Sequence, residues 1–139
     1  MELRIIIAGS RDFNDYDKLE KIMNDFFSHF YKYNKNKQYS CVKIISGTAR
    51  GADTLGERYA NEYGYEVVKF PADWDNLGKK AGIVRNAEMA KYAVEDGHDG
   101  VLVAFWDGNS KGTEHMINIA KRYGLAVYFN AINDKKRRD

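Results

Sequence analysis

The sequence predicts a doubly wound α/β domain, in which helices cover both faces of a mainly parallel, five-stranded sheet. Short runs rich in β-branched residues alternate with helix-length segments along the chain. Three of these runs are nearly continuous in apolar residues, as expected for strands that are buried on both faces. The 139 residues, of which 44% are hydrophobic, are enough for one domain with a continuous core.

The predicted strands and helices follow one another in strict alternation. The strands are predicted at 3–8, 42–46, 66–70, 100–106 and 125–129. The helices between them are predicted at 16–33, 51–64, 80–96 and 112–123. This βαβαβαβαβ pattern favours right-handed crossovers and the strand order 3-2-1-4-5, so we expect a three-layer αβα sandwich.

Apolar residues at helical spacing indicate the buried face of two helices. In the first helix this face consists of Leu19, Ile22, Met23, Phe26, Phe27 and Phe30. In the third helix it is expected to consist of Ile83, Ala87, Ala90 and Val94. A different face of the third helix carries Gly82, Arg85, Asn86 and Met89. We expect that face to look toward a functional site, and a solvent-exposed Arg85 is the alternative.

No internal repeat or linker interrupts this pattern. Residues 1–132 are therefore predicted to form a single domain, and the stretch NDKKRRD at 133–139 is predicted to be a charged, solvated tail. The single cysteine, Cys41, cannot form an internal disulfide, and we expect it to be a small structural residue. In the opening MELRIIIAGSRDF the apolar run is too short, and polar residues follow it too early, for a secretory signal or a membrane span. We therefore expect the protein in a reducing cytoplasm.

The charge balance excludes a nucleic-acid binder that works by bulk electrostatics. The chain has 22 basic and 20 acidic side chains, so its formal charge is only +2. Any recognition of anions must therefore be local. The three histidines are dispersed, and no Cys/His cluster has the spacing of metal ligands, so no metal site is predicted.

Polar loops follow the first four strands. They read GSRDF at 9–13, SGTARGAD at 46–53, PADWDNLGKKAG at 71–82 and DGNSKGTEH at 107–115. In an open α/β sheet these loops meet at one edge, where ligands bind. Glycine lets the backbone approach a ligand closely, and the first amides of a helix favour anions. The loops therefore predict an anion site for phosphate or carboxylate, although glycines that merely form tight turns are the alternative.

The predicted site contains hydroxyls, glycines, two arginines, two aspartates and an indole. The residues expected to bind the ligand are Gly9, Ser10, Arg11, Ser46, Gly47, Gly51, Asp53, Asp73, Trp74, Arg85, Asn86, Ser110, Gly112 and Thr113. Arg85 suits phosphate because a guanidinium can bind it through two parallel hydrogen bonds. Trp74 could stack on a ring or fold back over the core. Asp53 could brace its loop, bind ribose hydroxyls or act in catalysis.

Four stretches of the chain resemble the SLOG superfamily, and specifically its YspA-type, YpsA-related branch. They are GSR, SGTARGAD, FPADWDNLGKKAGIVRNAEM and DGNSKGTEHM, and the resemblance extends from about residue 5 to 128. Members of this superfamily are Rossmann-like domains that bind nucleotides or nucleotide-derived molecules, some as enzymes and some as sensors. The resemblance implies a nucleotide or nucleotide-derived ligand. We also expect a homodimer or higher homo-oligomer that requires no cofactor and binds neither a membrane nor nucleic acid.

Two related families imply alternative functions. The LOG phosphoribohydrolases have an Arg-Lys-x-x-Met helix motif and a Pro-Gly-Gly-x-Gly-Thr-x-x-Glu loop. Here Asn86 stands in place of the lysine and Met116 in place of the catalytic glutamate. Glu114, two residues earlier, is turned by about 200° on a helix. We therefore expect binding first, and as an alternative an enzyme that cleaves or transfers an N-glycosidic bond with Asp53 or Glu114 as the catalytic acid/base group.

DNA-processing protein A has a similar GSR, a loop close to SGTARGAD and an Arg-Asn pair. This chain resembles its Rossmann-like part, which implies single-stranded DNA binding as a third possibility. A groove that follows a DNA strand needs more positive charge than +2, unless that charge is sharply clustered.

Overall fold

Five parallel strands form the centre of the computed structural model, which describes residues 1–132. The strands are β1 (Glu2–Gly9), β2 (Cys41–Ser46), β3 (Glu66–Lys69), β4 (Asp99–Trp106) and β5 (Ala126–Ala131). They lie in the order β3-β2-β1-β4-β5, and every neighbouring pair is parallel. The predicted fold class and strand order are confirmed. The charged tail at 133–139 lies outside the described residues.

The helices also lie where the sequence places them. They are α1 (Tyr16–Tyr33), α2 (Ala52–Tyr63), α3 (Trp74–Leu77), α4 (Ala81–Val94) and α5 (Lys111–Arg122). Asp15 caps α1 by accepting a hydrogen bond from the N–H of Lys18 at 3.1 Å. The loop predicted after β3 contains the single turn α3, which the sequence analysis did not identify.

The continuous apolar run of β1 is explained by burial on both faces of the sheet. Leu3, Ile5 and Ile7 pack on one face with the aromatic residues of α1 and with α2. Ile6 and Ala8 pack on the other face with α4 and α5. The strand is therefore covered by helices on both faces of the sheet.

The predicted core face of α4 is correct at Ala90 and at Val94, which packs partly buried against the core, but it is wrong at Ile83. Ile83 is 55% exposed, whereas the buried positions of the helix are Ala81, Asn86, Met89, Ala90 and Ala93. The buried Asn86 faces α5, where its side-chain amide donates to the carbonyl oxygen of Gly112 at 3.4 Å. Ala90 and Ala93 then pack against the sheet and α5, and Ile83 remains outside.

Two glycines allow the loops at the carboxyl edge to pack closely. A Cβ at Gly9 would lie 2.2 Å from the carbonyl oxygen of Phe105, and a Cβ at Gly51 would lie 2.4 Å from that of Ser10. Gly51 also has a φ of +83°, which favours glycine. These contacts hold the loop after β1 between β4 and the start of α2. Within residues 1–132 we find no helix with the length and apolar character needed to cross a membrane.

Candidate functional site

A cleft lies at the carboxyl edge of the sheet, where β1 separates β2 from β4 and the strand order reverses. Three neighbouring cavities form the cleft, and Arg11 and Arg85 line all of them. We call them the strand-side cavity, of about 340 Å³, the floor cavity, of about 70 Å³, and the helix-side cavity, of about 280 Å³.

The loop after β2 forms one wall of the strand-side cavity, and Pro71, Ala72 and Trp74 form the other. Thr48 has a φ of +63° in this loop, a conformation that residues other than glycine adopt rarely and often at ligand sites. The hydroxyl of Ser46 stabilises it by accepting the N–H of Thr48 at 3.0 Å and donating to Glu57 at 2.6 Å.

The N-terminal turn of α5 lines the floor cavity. Ser110 caps the helix: its hydroxyl accepts the N–H of Thr113 at 3.3 Å and lies 3.0 Å from the Thr113 hydroxyl. Asp107 orders the preceding loop because its Oδ1 accepts the N–H groups of Asn109 and Ser110 at 2.8 and 2.9 Å. Met116 lines the same cavity, at the position where the LOG motif has its glutamate.

Arg85 connects α4 to the loop after β2. Its Nη1 donates to the carbonyl oxygen of Gly47, and its Nε donates to Asn86 Oδ1 at 3.1 Å. Burial lowers the pKa of Arg85, the charge of Asp53 opposes this shift, and the neighbouring Arg11 guanidinium adds to it. Among the side chains of residues 1–132, no carboxylate forms a salt bridge with Arg11 or Arg85. The two positive charges therefore face the cleft with Asp53 as a neighbouring opposite charge that forms no direct salt bridge with either of them in the described part of the protein.

Asp53 places a buried carboxyl group at the floor cavity. Its Oδ2 accepts the N–H of Ala49 at 3.2 Å. Burial raises the pKa of Asp53 to about 6, and the amide of Ala49 and the charge of Arg85 oppose this shift. A carboxyl group with this pKa can gain or lose a proton near neutral pH.

The lining of the cleft is strongly cationic. Five positively charged side chains line the three cavities, namely Arg11, Arg50, Lys79, Arg85 and Lys111. Within residues 1–132, Asp53 is the single carboxylate among the lining residues. A protein with a formal charge of only +2 thus concentrates positive charge at one site.

The structure brings most of the predicted binding residues together around the cleft. Those that line a cavity are Gly9, Arg11, Gly47, Asp53, Trp74, Arg85, Asn86, Ser110, Gly112 and Thr113. Asn86, whose amide also lies 3.1 Å from His115 Nδ1, lines both the floor and the helix-side cavities.

Four predicted binding residues line none of the three cavities and instead shape the loops. Ser46 lies behind the loop after β2, and Gly51 precedes α2. The Ser10 hydroxyl accepts the N–H of Asp107 at 3.2 Å, and Asp73 caps α3. Glu114, the other candidate acid, is exposed and also lines none of the three cavities.

Sequence reasoning missed Lys79, Lys111 and His115, which line the helix-side cavity. The two lysines lie within loops that the sequence already marked as polar. His115 follows Gly112 by three residues, and this spacing places both on one side of a helix. The spacing could therefore have identified His115 as a residue of the site.

Comparisons with known proteins were made for the whole chain. A family model described as YAcAr, the YspA, cpYpsA-related SLOG family, matches residues 3–76, which include the first two loops of the cleft and Trp74. The Gene 61 protein of Mycobacterium phage D29 is 33% identical over 129 residues, covering 89% of this chain and 93% of the phage protein. No solved structure shows significant similarity to the chain.

The raised pKa of Asp53 predicts that its protonated form adds to the free energy of unfolding and that this contribution is present at low pH only. Its contribution is fully present below about pH 3.8 and is lost as the pH rises through about 6, because the folded state holds the proton more tightly. We expect Asp53→Asn to exceed the wild type in free energy of unfolding at pH 7.5 by about 1–3 kcal/mol, with little difference at pH 4. Urea denaturation followed by circular dichroism between pH 4 and 8 measures this.

Asp25→Asn is the matched control, because Asp25 lies exposed on α1, away from the cleft. A difference between wild type and Asp53→Asn that stays constant across the pH range would contradict the burial of an ionisable Asp53.

Proposed function

Because this chain belongs to the YspA, cpYpsA-related SLOG family, we propose that it binds a nucleotide or nucleotide-derived small molecule as a sensor or sequestering protein. One observation carries the proposal: the guanidinium groups of Arg11 and Arg85, which form no salt bridge with a carboxylate of residues 1–132, line a floor cavity together with the first turn of α5.

The phosphate of the ligand occupies the floor cavity in this proposal. Its volume of about 70 Å³ suits a small anionic group rather than a ring system. Ser110, Gly112 and Thr113 supply the positive end of the α5 dipole and two hydroxyls. Hydrogen bonds from charged donors are about twice as strong as neutral ones, and here Arg11 and Arg85 provide them.

The base lies in the strand-side cavity, which at about 340 Å³ is within the usual size range of small-molecule sites. Trp74, half of whose side chain is exposed, offers a ring face for stacking. Stacking of a base on an aromatic side chain contributes roughly 1–3 kcal/mol. Pro71 and Ala72 add apolar contacts that do not discriminate strongly between bases.

A second candidate function is cleavage or transfer of an N-glycosidic bond. The observation that favours it is the buried Asp53, whose pKa of about 6 suits a general acid or base near neutral pH. Met116 lines the floor cavity at the position where the LOG motif has its catalytic glutamate. Because a methionine side chain cannot transfer protons, this residue favours binding over catalysis. Single-stranded DNA binding stays a prediction. The position of the cations does not favour it, because they converge on one cleft instead of following a long groove.

Replacement of Arg11 or Gly112 is expected to weaken nucleotide binding. Arg11→Ala removes a charged donor worth roughly 1.5–3 kcal/mol, so the Kd should rise about 10- to 100-fold. A Cβ at Gly112 would meet no atom within 4 Å, so Gly112→Val keeps the fold and projects its side chain into free space at the cavity wall. We expect Gly112→Val to lose a similar amount of nucleotide affinity. Calorimetric titration with nucleoside mono- and diphosphates measures both variants.

The charge-matched control is Lys121→Ala, at the opposite end of α5 from the cleft. This variant should bind like the wild type. Unchanged nucleotide affinity in both Arg11→Ala and Gly112→Val would show that the ligand binds elsewhere.

Incubation with a panel of nucleoside monophosphates separates the binder from the enzyme. For a pure binder, chromatography should detect no free base above the background of a protein-free sample. Release of base that disappears in Asp53→Asn would instead establish the second candidate and overturn the first.

A further inference from the structure

Trp74 separates the two larger cavities of the cleft. Its indole lines both the strand-side and the helix-side cavity but not the floor cavity. The single turn α3 fixes its backbone, because the Asp73 side chain accepts the N–H of Asn76 at 3.3 Å and the Trp74 carbonyl oxygen accepts the N–H of Gly78. With a side chain that is half exposed, Trp74 is left free to contact a ligand on either side.

The two cavities beside Trp74 are similar in size, at about 340 and 280 Å³. Each lies near the lower end of the range of about 300–1,000 Å³ for small-molecule sites. A mononucleotide has one ring-bearing arm, so it can fill one cavity and leaves the other to water. The cleft is therefore larger than a mononucleotide requires.

The positive charges lie between and beside these two cavities. Arg11 and Arg85 line both cavities and the floor between them. Arg50 belongs to the strand-side cavity, whereas Lys79 and Lys111 belong to the helix-side cavity. The junction between the two cavities thus has two guanidinium groups and the Asp53 carboxyl group, and Arg11 and Arg85 are the two cations that line both larger cavities.

On the basis of the proposed function, we infer that the ligand has two ring-bearing arms joined by a short anionic linker, as in a dinucleoside diphosphate. The diphosphate lies against Arg11 and Arg85, with one negative charge for each guanidinium. One arm fills the strand-side cavity and the other fills the helix-side cavity, on opposite sides of Trp74.

Calorimetry with matched one-armed and two-armed compounds tests this inference. The probes are adenosine and guanosine diphosphate and the corresponding symmetric dinucleoside diphosphates. We expect one of the two-armed compounds to bind at least tenfold more tightly than the nucleoside diphosphate with the same base, because the second ring fills a cavity that is otherwise empty.

Two variants block one cavity each. Ala72→Trp adds an indole to the strand-side cavity, and Gly82→Leu adds a side chain to the helix-side cavity. A Cβ at Gly82 would lie 3.4 Å from Trp74 Cη2 and 3.8 Å from Arg85 Nη2, both ordinary contacts, so the first atom of the new side chain meets no clash. Glu88→Leu is the matched control, since Glu88 is exposed on the same helix and lines none of these cavities.

Each blocking variant should weaken binding of the dinucleoside diphosphate at least tenfold, whereas only one of them should weaken binding of the nucleoside diphosphate. Affinities of the one-armed and two-armed compounds within twofold in the wild type would overturn the inference and leave the proposed function standing. A dinucleoside diphosphate affinity that either blocking variant leaves unchanged would also overturn it. Failure of every compound to bind would overturn the proposed function as well. The wild-type comparison decides the question if a variant does not fold.

Discussion

The hydrogen bond from the Arg85 guanidinium to the carbonyl oxygen of Gly47 holds the site together. It joins α4 on one face of the sheet to the loop that leads into α2 on the other. A Cβ at Gly47 would lie 2.8 Å from both Arg85 Nη1 and Asp53 Oδ2, so a glycine is needed for the arginine to approach the backbone there. Because this contact uses only part of the guanidinium, Arg85 can fix the loop and still face the cleft.

Burial explains why Arg85 and Asp53 can have strong effects in a nearly neutral protein, whereas Arg11 is exposed. Coulomb interactions are stronger where water is excluded, and Arg85 and Asp53 are both withdrawn from solvent. Burial opposes the charged form of each, which lowers the pKa of Arg85 and raises that of Asp53. An incoming phosphate would shift this balance, since it supplies negative charge to the guanidinium groups and favours a protonated Asp53. The overall charge of +2 therefore says little about the ligand.

The sequence predicted the fold because the local signals agree with one another. Apolar strands, amphipathic helices and polar loops at one edge lead to a single topology, and Gly9 and Gly51 already marked the close contacts of the loops. The face of α4 was not predictable from spacing. Ile83 looks like a core residue in sequence, but the polar Asn86 is buried against Gly112 and His115 of α5, and Ile83 is left exposed. The division of the cleft by Trp74 likewise depends on a turn, α3, too short to give a periodic signal.

The proposed function requires that Arg11, Arg85 and the first turn of α5 bind a phosphate group. Titration of the ¹⁵N-labelled protein with inorganic pyrophosphate, followed by NMR, measures this binding. We predict saturable shifts of the Nε–H signals of both arginines and of the backbone amides of Gly112 and Thr113, with no comparable change along α1. Shifts confined to other parts of the surface, or none that saturate, would contradict the claim.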